Sequence, residues 1–336
     1  MTSLPQPYLL FVGDVAEPGF AKTALGLRDW AGAICVGEMA ITADAAATGL
    51  PRLSARDAVA KGARSLVIGV ANRGGIIAPS WVPALVDALA AGLDIVSGLH
   101  ARLAAVPELA DAAVHYGRRL IDIRTPPPGI PVATGARRSG KRLLTVGTDC
   151  ALGKKYTALA LARAFRARGI DADFRATGQT GIMIAGAGIP IDATVCDFTA
   201  GAAELLSPDA APDHWDVIEG QGSLFHPSYA GVSLGLLHGS QPDLFVVCHQ
   251  PGRERMLGSA AFAVPDVREV IDLTITLGRR TNPAIRCAGA AYNTAHLSPV
   301  EADALLAAES ARLGLPVADP MRGGAAFETL VDACLA

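Results

Sequence analysis

Short runs of β-branched and other apolar residues alternate with Ala/Leu-rich stretches along the whole 336-residue chain. In the first half these strand-like runs fall at 8–14 (YLLFVGD), 33–38 (AICVGE), 65–71 (SLVIGVA), 94–98 (DIVSG) and 120–124 (LIDIR). They resume at 142–148 (RLLTVGT), and further strands are expected near 191–197, 215–219, 244–249, 273–277 and 285–292. Strands that are apolar on both faces need cover on both faces. Separated by helices, they predict parallel sheets with helices above and below. The fold class is therefore α/β.

Two helices are well signed. SWVPALVDALAAG offers Ser80 as an N-cap and Gly92 as a terminator. SPVEADALLAAESARLG places Ser298 and Glu301 in a capping box, Pro299 at the first helical position and Gly314 at the end. Between the halves lies RTPPPGIPVATGARRSGKR (124–142), where proline stops helices and glycine and serine loosen the chain. This stretch predicts two consecutive α/β domains, residues 1–130 and 131–336.

The second domain opens on LLTVGTDCALGKKYTALALARAF (143–165), an apolar strand, a glycine-bounded turn and a helix. Gly147, Gly153 and Lys154 form G-x5-G-K, one residue longer than the usual phosphate-loop spacing. Glycines let the backbone N–H groups curl inward around phosphate oxygens. The helix N-terminus adds partial positive charge and Lys154 a full one. The expected ligand-binding stretch is thus Gly147, Thr148, Asp149, Cys150, Ala151, Leu152, Gly153, Lys154, Lys155, Tyr156 and Thr157. A plain glycine turn between strand and helix is the bland alternative. Lys155 stands where nucleotide hydrolases carry the Ser or Thr that ligates Mg²⁺. Thr157 replaces it only if the helix begins elsewhere, so the loop suits holding a phosphate better than cutting one.

In open α/β sheets, ligands sit outside the carboxyl ends of the strands. On that rule DATVCDF and WDVIEGQGSLFHP place Asp197 and Glu219 at strand ends facing the loop, as metal ligands or general bases, or simply as loop caps. The glycine-rich ATGQTGIMIAGAG (176–188) contributes Gln179 as a substrate contact. CHQPGRERMLG (248–258) brings His249, Arg253 and Arg255. Either arginine is a natural partner for a substrate carboxylate, or forms only a helix-start salt bridge. His226 is a further proton-carrying candidate. Cys150 lies at a helix N-terminus, which favours thiolate, although small polar filler suffices there.

Composition excludes several classes. Charged residues make up 18% and the net charge is −3, which gives no electrostatic case for nucleic acid or an anionic membrane. No apolar run is long enough to span a bilayer, and MTSLPQPYLLFVGDV lacks the layout of a signal peptide. Six scattered cysteines without a CxxC pair predict a reduced, cytoplasmic protein. GDVAEPGFAKTALG (13–26) lacks the G-x-G-x-x-G fingerprint, which argues against a nicotinamide oxidoreductase. Small-molecule substrates and a symmetric homo-oligomer are the expected partners.

The string GTDCALGK (147–154) resembles the G-T-D-x-x-x-G-K loop of dethiobiotin synthetase and its P-loop relatives, and WDVIEGQGSL resembles their acidic strand. Adding TGQTGIMIAGAGIPIDATVCDFTAGAAE, EGQGSLFHPSYAGVSLGLLHGSQPD and ANRGGIIAPSWVPALVDALAAGLDIVSGLHARL extends the likeness over nearly the whole chain. Together these segments resemble a bacterial family whose named activity is D-glutamate N-acetyltransferase. The resemblance implies an N-terminal Rossmann-like domain, a C-terminal P-loop NTPase-like domain and acetyl-CoA as the acyl donor, with no metal expected. The residue roles are our own assignment and are not supplied by the resemblance: Lys154 and the 147–153 backbone are expected to hold CoA phosphate and Arg253 or Arg255 a substrate carboxylate. Glu219 is the expected base, with Asp197 or His226 in reserve. The alternatives are an ATP/Mg-dependent carboxylate kinase or ligase of the dethiobiotin synthetase kind, and a non-enzymatic effector-binding protein.

Overall fold

The computed structural model describes residues 2–17 and 20–336. Pro18 and Gly19, in the stretch GDVAEPGFAKTALG that lacks the dinucleotide fingerprint, lie outside the described residues. The chain forms two compact units. Unit 1 comprises residues 1–127 with 179–193, and unit 2 comprises 128–178 with 194–336. Residues 179–193, which the sequence reading assigns to the second domain, thus pack within the first.

Unit 1 is built on five parallel strands ordered Cys35–Ala40, Tyr8–Gly13, Ser65–Ile68, Asp94–Ser97, Leu120–Asp122. This is the 2-1-3-4-5 order of a doubly wound sheet, whose switch point lies at the first strand. The Tyr8–Gly13 strand is buried throughout, as its unbroken apolar run requires. At its carboxyl end Gly13 adopts φ +62°, and the Trp81 indole packs so close that a Cβ there would lie 2.8 Å from Nε1. Trp81 Nε1 and Ser80 Oγ donate to Asp14 at 2.8 and 2.7 Å, holding its carboxyl below the usual range. The switch-point crevice is therefore filled by the protein's own side chains.

Ser80 does not cap the following helix. Its hydroxyl serves Asp14, and a 3₁₀ turn, Pro79–Trp81, leads into Val82–Ala91. Gly92 does end that helix, at φ 105°. Segment 179–193 supplies unit 1 with the helix Gln179–Ala185 and the short strand Ala187–Gly188, which pairs antiparallel with Thr2–Ser3.

Unit 2 carries six parallel strands ordered Val317–Ala318, Arg286–Tyr292, Leu244–His249, Lys141–Gly147, Trp215–Ile218, Ala172–Arg175. Two expected strands are absent. Residues 273–277 lie inside the helix Val267–Gly278, whose buried Val267, Val270, Ile271 and Thr274 follow helical spacing despite the β-branched run. Residues 191–197 form two 3₁₀ turns, Ile191–Ala193 and Cys196–Phe198. The apolar pattern there is broken: Ile191 is buried, yet Val195 is 66% exposed, so no second face is available to pair and bury a strand. The helix Pro299–Leu313 has its Ser298/Glu301 capping box and ends at Gly314 with φ 66°.

The linker is fastened at the amino edge of this sheet. The fully buried Arg142 guanidinium donates to the carbonyls of Ser139 and Pro208 at 2.8 and 3.1 Å. Nearby, His214 bonds Asp171 at 2.8 Å and Asp216 at 3.2 Å. Burial opposes the charged ring, but the hydrogen bonds to Asp171 and Asp216 carry its pKa above the ordinary histidine range. A raised folded pKa gives stability that is fully present below the unfolded pKa of about 6.5 and is lost as pH rises through the folded value. His214→Gln is therefore expected to lower Tm more at about pH 5.5 than at about pH 8.5. An equal loss at both would show that the imidazolium does not form. Among the described residues no helix is long and apolar enough to cross a membrane.

Candidate active site

The phosphate loop leaves the carboxyl end of the central strand Lys141–Gly147 and runs into the helix Lys154–Ala167. Gly153 sits at φ 113°, a left-handed conformation that a side chain would strain. Strand register sets the flanks. Ile218 lies beside Leu144, which puts Glu219–Ser223 on one side of the loop, and Cys248 lies beside Gly147, which puts His249–Arg253 on the other.

Lys154 is 7% exposed, and its Nζ donates to the Asp149 carbonyl at 2.8 Å, closing the loop on itself. Burial lowers its pKa, partly offset by the neighbouring Cys248, Cys150, Asp149 and Glu219. The Lys155 ammonium lies 4.4 Å from the Tyr156 ring centroid. Thr157 is one turn into the helix, where its hydroxyl accepts from Cys248 Sγ at 3.5 Å. The helix starts at Lys154, so Thr157 does not occupy the metal-ligating position.

Asp149 is wholly buried and fully bonded. Its Oδ1 accepts from Cys150 N at 2.6 Å, and its Oδ2 from Leu257 N at 2.8 Å and Arg253 Nη1 at 3.0 Å. Arg253 also donates to the Cys150 carbonyl at 2.7 Å. Its guanidinium thus clamps the loop instead of standing open to a substrate carboxylate. Arg255 lies exposed on the short hairpin strand Arg255–Met256. Sequence reasoning missed Asp149 as the partner of Arg253, and its place between the two glycines of the loop was the available signal.

Glu219 is 5% exposed. Its Oε2 accepts from the Thr177 and Gly178 N–H groups at 3.0 and 3.1 Å, while Thr177 Oγ1 donates to its carbonyl at 2.7 Å. The next residue must be glycine: a Cβ on Gly220 would lie 1.6 Å from the Thr145 carbonyl oxygen. Asp197 is exposed on a 3₁₀ turn before the helix Thr199–Leu206, so it does not end a strand as expected. Gln179 belongs to unit 1, where it packs against Gly98.

His226 is buried with both ring nitrogens engaged. Nδ1 accepts from Ser228 N at 3.1 Å, so Nε2 carries the proton and donates to the Leu257 carbonyl at 3.2 Å. With Asp149 and Cys150 it forms a trio close enough to share a metal ion. The Asp149 oxygens and both His226 nitrogens already have partners, however, so the trio presents no open coordination set. Burial pushes the Cys150 thiol up, opposed by Lys154, and so disfavours a thiolate.

On the other flank, His249 Nδ1 meets Thr148 Oγ1 at 3.0 Å, and burial lowers the His249 pKa, which favours the neutral ring. Beyond it opens a cavity of about 600 Å³ within unit 2, walled by His249, Arg253, Val264, Asp266, Tyr292, Leu305, Glu309 and Arg312. Sequence reading did not anticipate this cavity, because its walls come from segments up to 63 residues apart.

The loop, its lysine and the flanking strand ends define an α/β protein of the P-loop class. A family model described as a domain of unknown function (DUF1611_C), P-loop domain, matches residues 131–330. A second, described as DUF1611_N, Rossmann-like domain, matches residues 35–126. The chain belongs to the DUF1611 family. It is 49% identical over 330 residues to a D-glutamate N-acetyltransferase of Tritonibacter scottomollicae, covering 98% of each chain. It is 45% identical over 318 residues to a protein of the same name from a Pseudoalteromonas species, covering 95% of this chain and 96% of that one. The crystal structure of a DUF1611 family protein from Anabaena variabilis superposes with a TM-score of 0.84 at 34% identity, covering 98% of this chain and 99% of that one.

Proposed function

We propose that this protein transfers an acetyl group from acetyl-CoA to the amino group of D-glutamate. The observation that carries the reading is its similarity, along nearly the full length, to two proteins bearing that name. The loop chemistry supports the choice of donor. A loop with a buried lysine but a second lysine in the metal-ligating position suits gripping the CoA pyrophosphate without hydrolysing it.

In this reading Lys154 and the 147–153 backbone bind the donor phosphates. Glu219 takes a proton from the D-glutamate ammonium. The amine then attacks the thioester carbonyl, a C–N bond forms, the C–S bond breaks, and CoA leaves as its thiol. Arg255, which is exposed beside the loop-clamping Arg253, is the available cation for a substrate carboxylate. All six cysteines are free, which suits a cytoplasmic enzyme, and a symmetric homo-oligomer remains part of this reading.

The test is a thiol-release assay with acetyl-CoA and D- or L-glutamate, run with and without a chelator and paired with an ATP/Mg²⁺ phosphate-release assay. Release of CoA that depends on D-glutamate and survives chelation is the expected result. Phosphate release with no CoA turnover would overturn the proposal in favour of a kinase or ligase.

A further inference from the structure

We infer that Thr177 and Gln221 are positioning residues for Glu219, and that together they set the direction in which its carboxylate meets the substrate amine. This rests on the reading above in which Glu219 takes the proton. All the groups concerned lie within unit 2. They sit at the carboxyl ends of the neighbouring strands Ala172–Arg175 and Trp215–Ile218, where Ile218 pairs with Arg175.

A glutamate side chain turns about three bonds, so a strand end alone does not fix where its oxygens lie. Thr177 N and Gly178 N reach Oε2 at 3.0 and 3.1 Å, and the carboxylate is only as steady as the 177–178 turn that carries them. Thr177, which is wholly buried, ties that turn back to the same residue: its Oγ1 donates to the Glu219 carbonyl at 2.7 Å. A hydroxyl has one proton and is free to rotate it. Gln221 removes that freedom. Its Nε2 donates to Thr177 Oγ1 at 2.9 Å, and an amide nitrogen does not accept in return, so the Thr177 proton is committed to the Glu219 carbonyl.

Gln221 is itself held from both sides. Gly220 N donates to Thr145 Oγ1 at 2.9 Å, and the Gln221 carbonyl accepts from Ser233 Oγ at 2.8 Å. Gly178 leaves room for the amide: a Cβ there would lie 2.8 Å from Gln221 Nε2 and 3.3 Å from Glu219 Oε1. The amide and the carboxylate thus close over one glycine face. The simpler alternative is a tie between two strand ends, in which Thr177 serves stability alone. Loss of its hydroxyl would then lower stability, kcat and donor affinity together.

The experiment is steady-state acetyl transfer to D-glutamate by wild type, Thr177→Val, Thr177→Ser and Gln221→Met, with CoA affinity measured by calorimetry. Valine keeps the shape of threonine without the hydroxyl, and methionine keeps the length of glutamine without the amide. In Thr177→Val and Gln221→Met kcat is expected to fall on the order of 10- to 100-fold, the scale of a small misplacement of a reacting group. CoA affinity should stay within about threefold, and Thr177→Ser should retain kcat within about threefold. The Thr177→Val loss should also disappear in a Glu219→Gln background. A Thr177→Ser variant as slow as Thr177→Val, a parallel loss of kcat and CoA affinity, or an undiminished loss in the Glu219→Gln background would overturn the assignment. If circular dichroism shows Thr177→Val to be unfolded, Gln221→Met, at a half-buried position, carries the same test. Wild-type kcat in Thr177→Val beside a large loss in Glu219→Gln would sink the positioning role alone. Wild-type kcat in Glu219→Gln would send the proton elsewhere, and both readings would fall together.

Discussion

Lys154→Ala is expected to weaken acetyl-CoA binding by roughly 100-fold, since a charge-assisted hydrogen bond contributes about 1.5–3 kcal/mol. The lysine is buried at the start of the helix, where screening by solvent is small, and its ammonium lies within the loop proposed to hold phosphate. The loop carbonyl of Asp149 also loses its donor, which loosens the turn and adds to the effect. Titration with CoA measures the loss, and the KM for D-glutamate should move far less. A companion pH series sharpens the result. Burial lowers the Lys154 pKa, so as pH rises the ammonium is lost before the ordinary lysine range is reached. Wild-type CoA affinity should therefore fall on the alkaline side, and that limb should vanish in Lys154→Ala. A CoA affinity within about threefold of wild type would remove the donor from this loop.

Glu219→Gln is the second large effect, a fall in kcat on the order of 10²–10⁴ with CoA affinity within a few-fold. The amide oxygen of glutamine can still accept from the Thr177 and Gly178 N–H groups, so the loop geometry is conserved while the basic carboxylate is gone. The split between kcat and donor binding separates proton transfer from scaffolding. A variant that retained wild-type kcat, yet bound CoA normally, would place the proton acceptor elsewhere. One that lost donor binding and stability together would make Glu219 a clamp for the 177–178 turn.

The α/β class, the linker and the phosphate loop were legible because each rests on local chemistry. Apolar strands must be buried, proline stops helices, and glycines beside a lysine make a curled turn whatever surrounds them. The capping box at Ser298 and Glu301 was equally readable for the same reason. The failures share a different cause. Thr274 and Ile275 prefer strands, yet the spacing of Val267, Val270 and Ile271 gave that stretch a helical face to bury. Ser80 looked like a cap until Asp14, 66 residues away, claimed its hydroxyl.

Arg253 read equally as a partner for a substrate carboxylate or as one half of a salt bridge. A buried Asp149, 104 residues distant, fixes it as a clamp on the phosphate loop. Neither partner is visible from the other along the sequence, because strand order brings them together. The expected placement at a strand end holds for only one of the two acidic candidates. Glu219 follows Trp215–Ile218, whereas Asp197 follows a turn.

The excursion of residues 179–193 into unit 1 has a consequence for how such a protein can be divided. A gene fragment ending at the linker encodes a first unit without the helix Gln179–Ala185 and without the strand that pairs with Thr2–Ser3. A fragment beginning there carries that helix with its fully buried Ile182 and Met183 stripped of cover. The two halves are consequently not portable modules. Separate expression of the two pieces cut at the apparent boundary is expected to give two incompletely packed fragments.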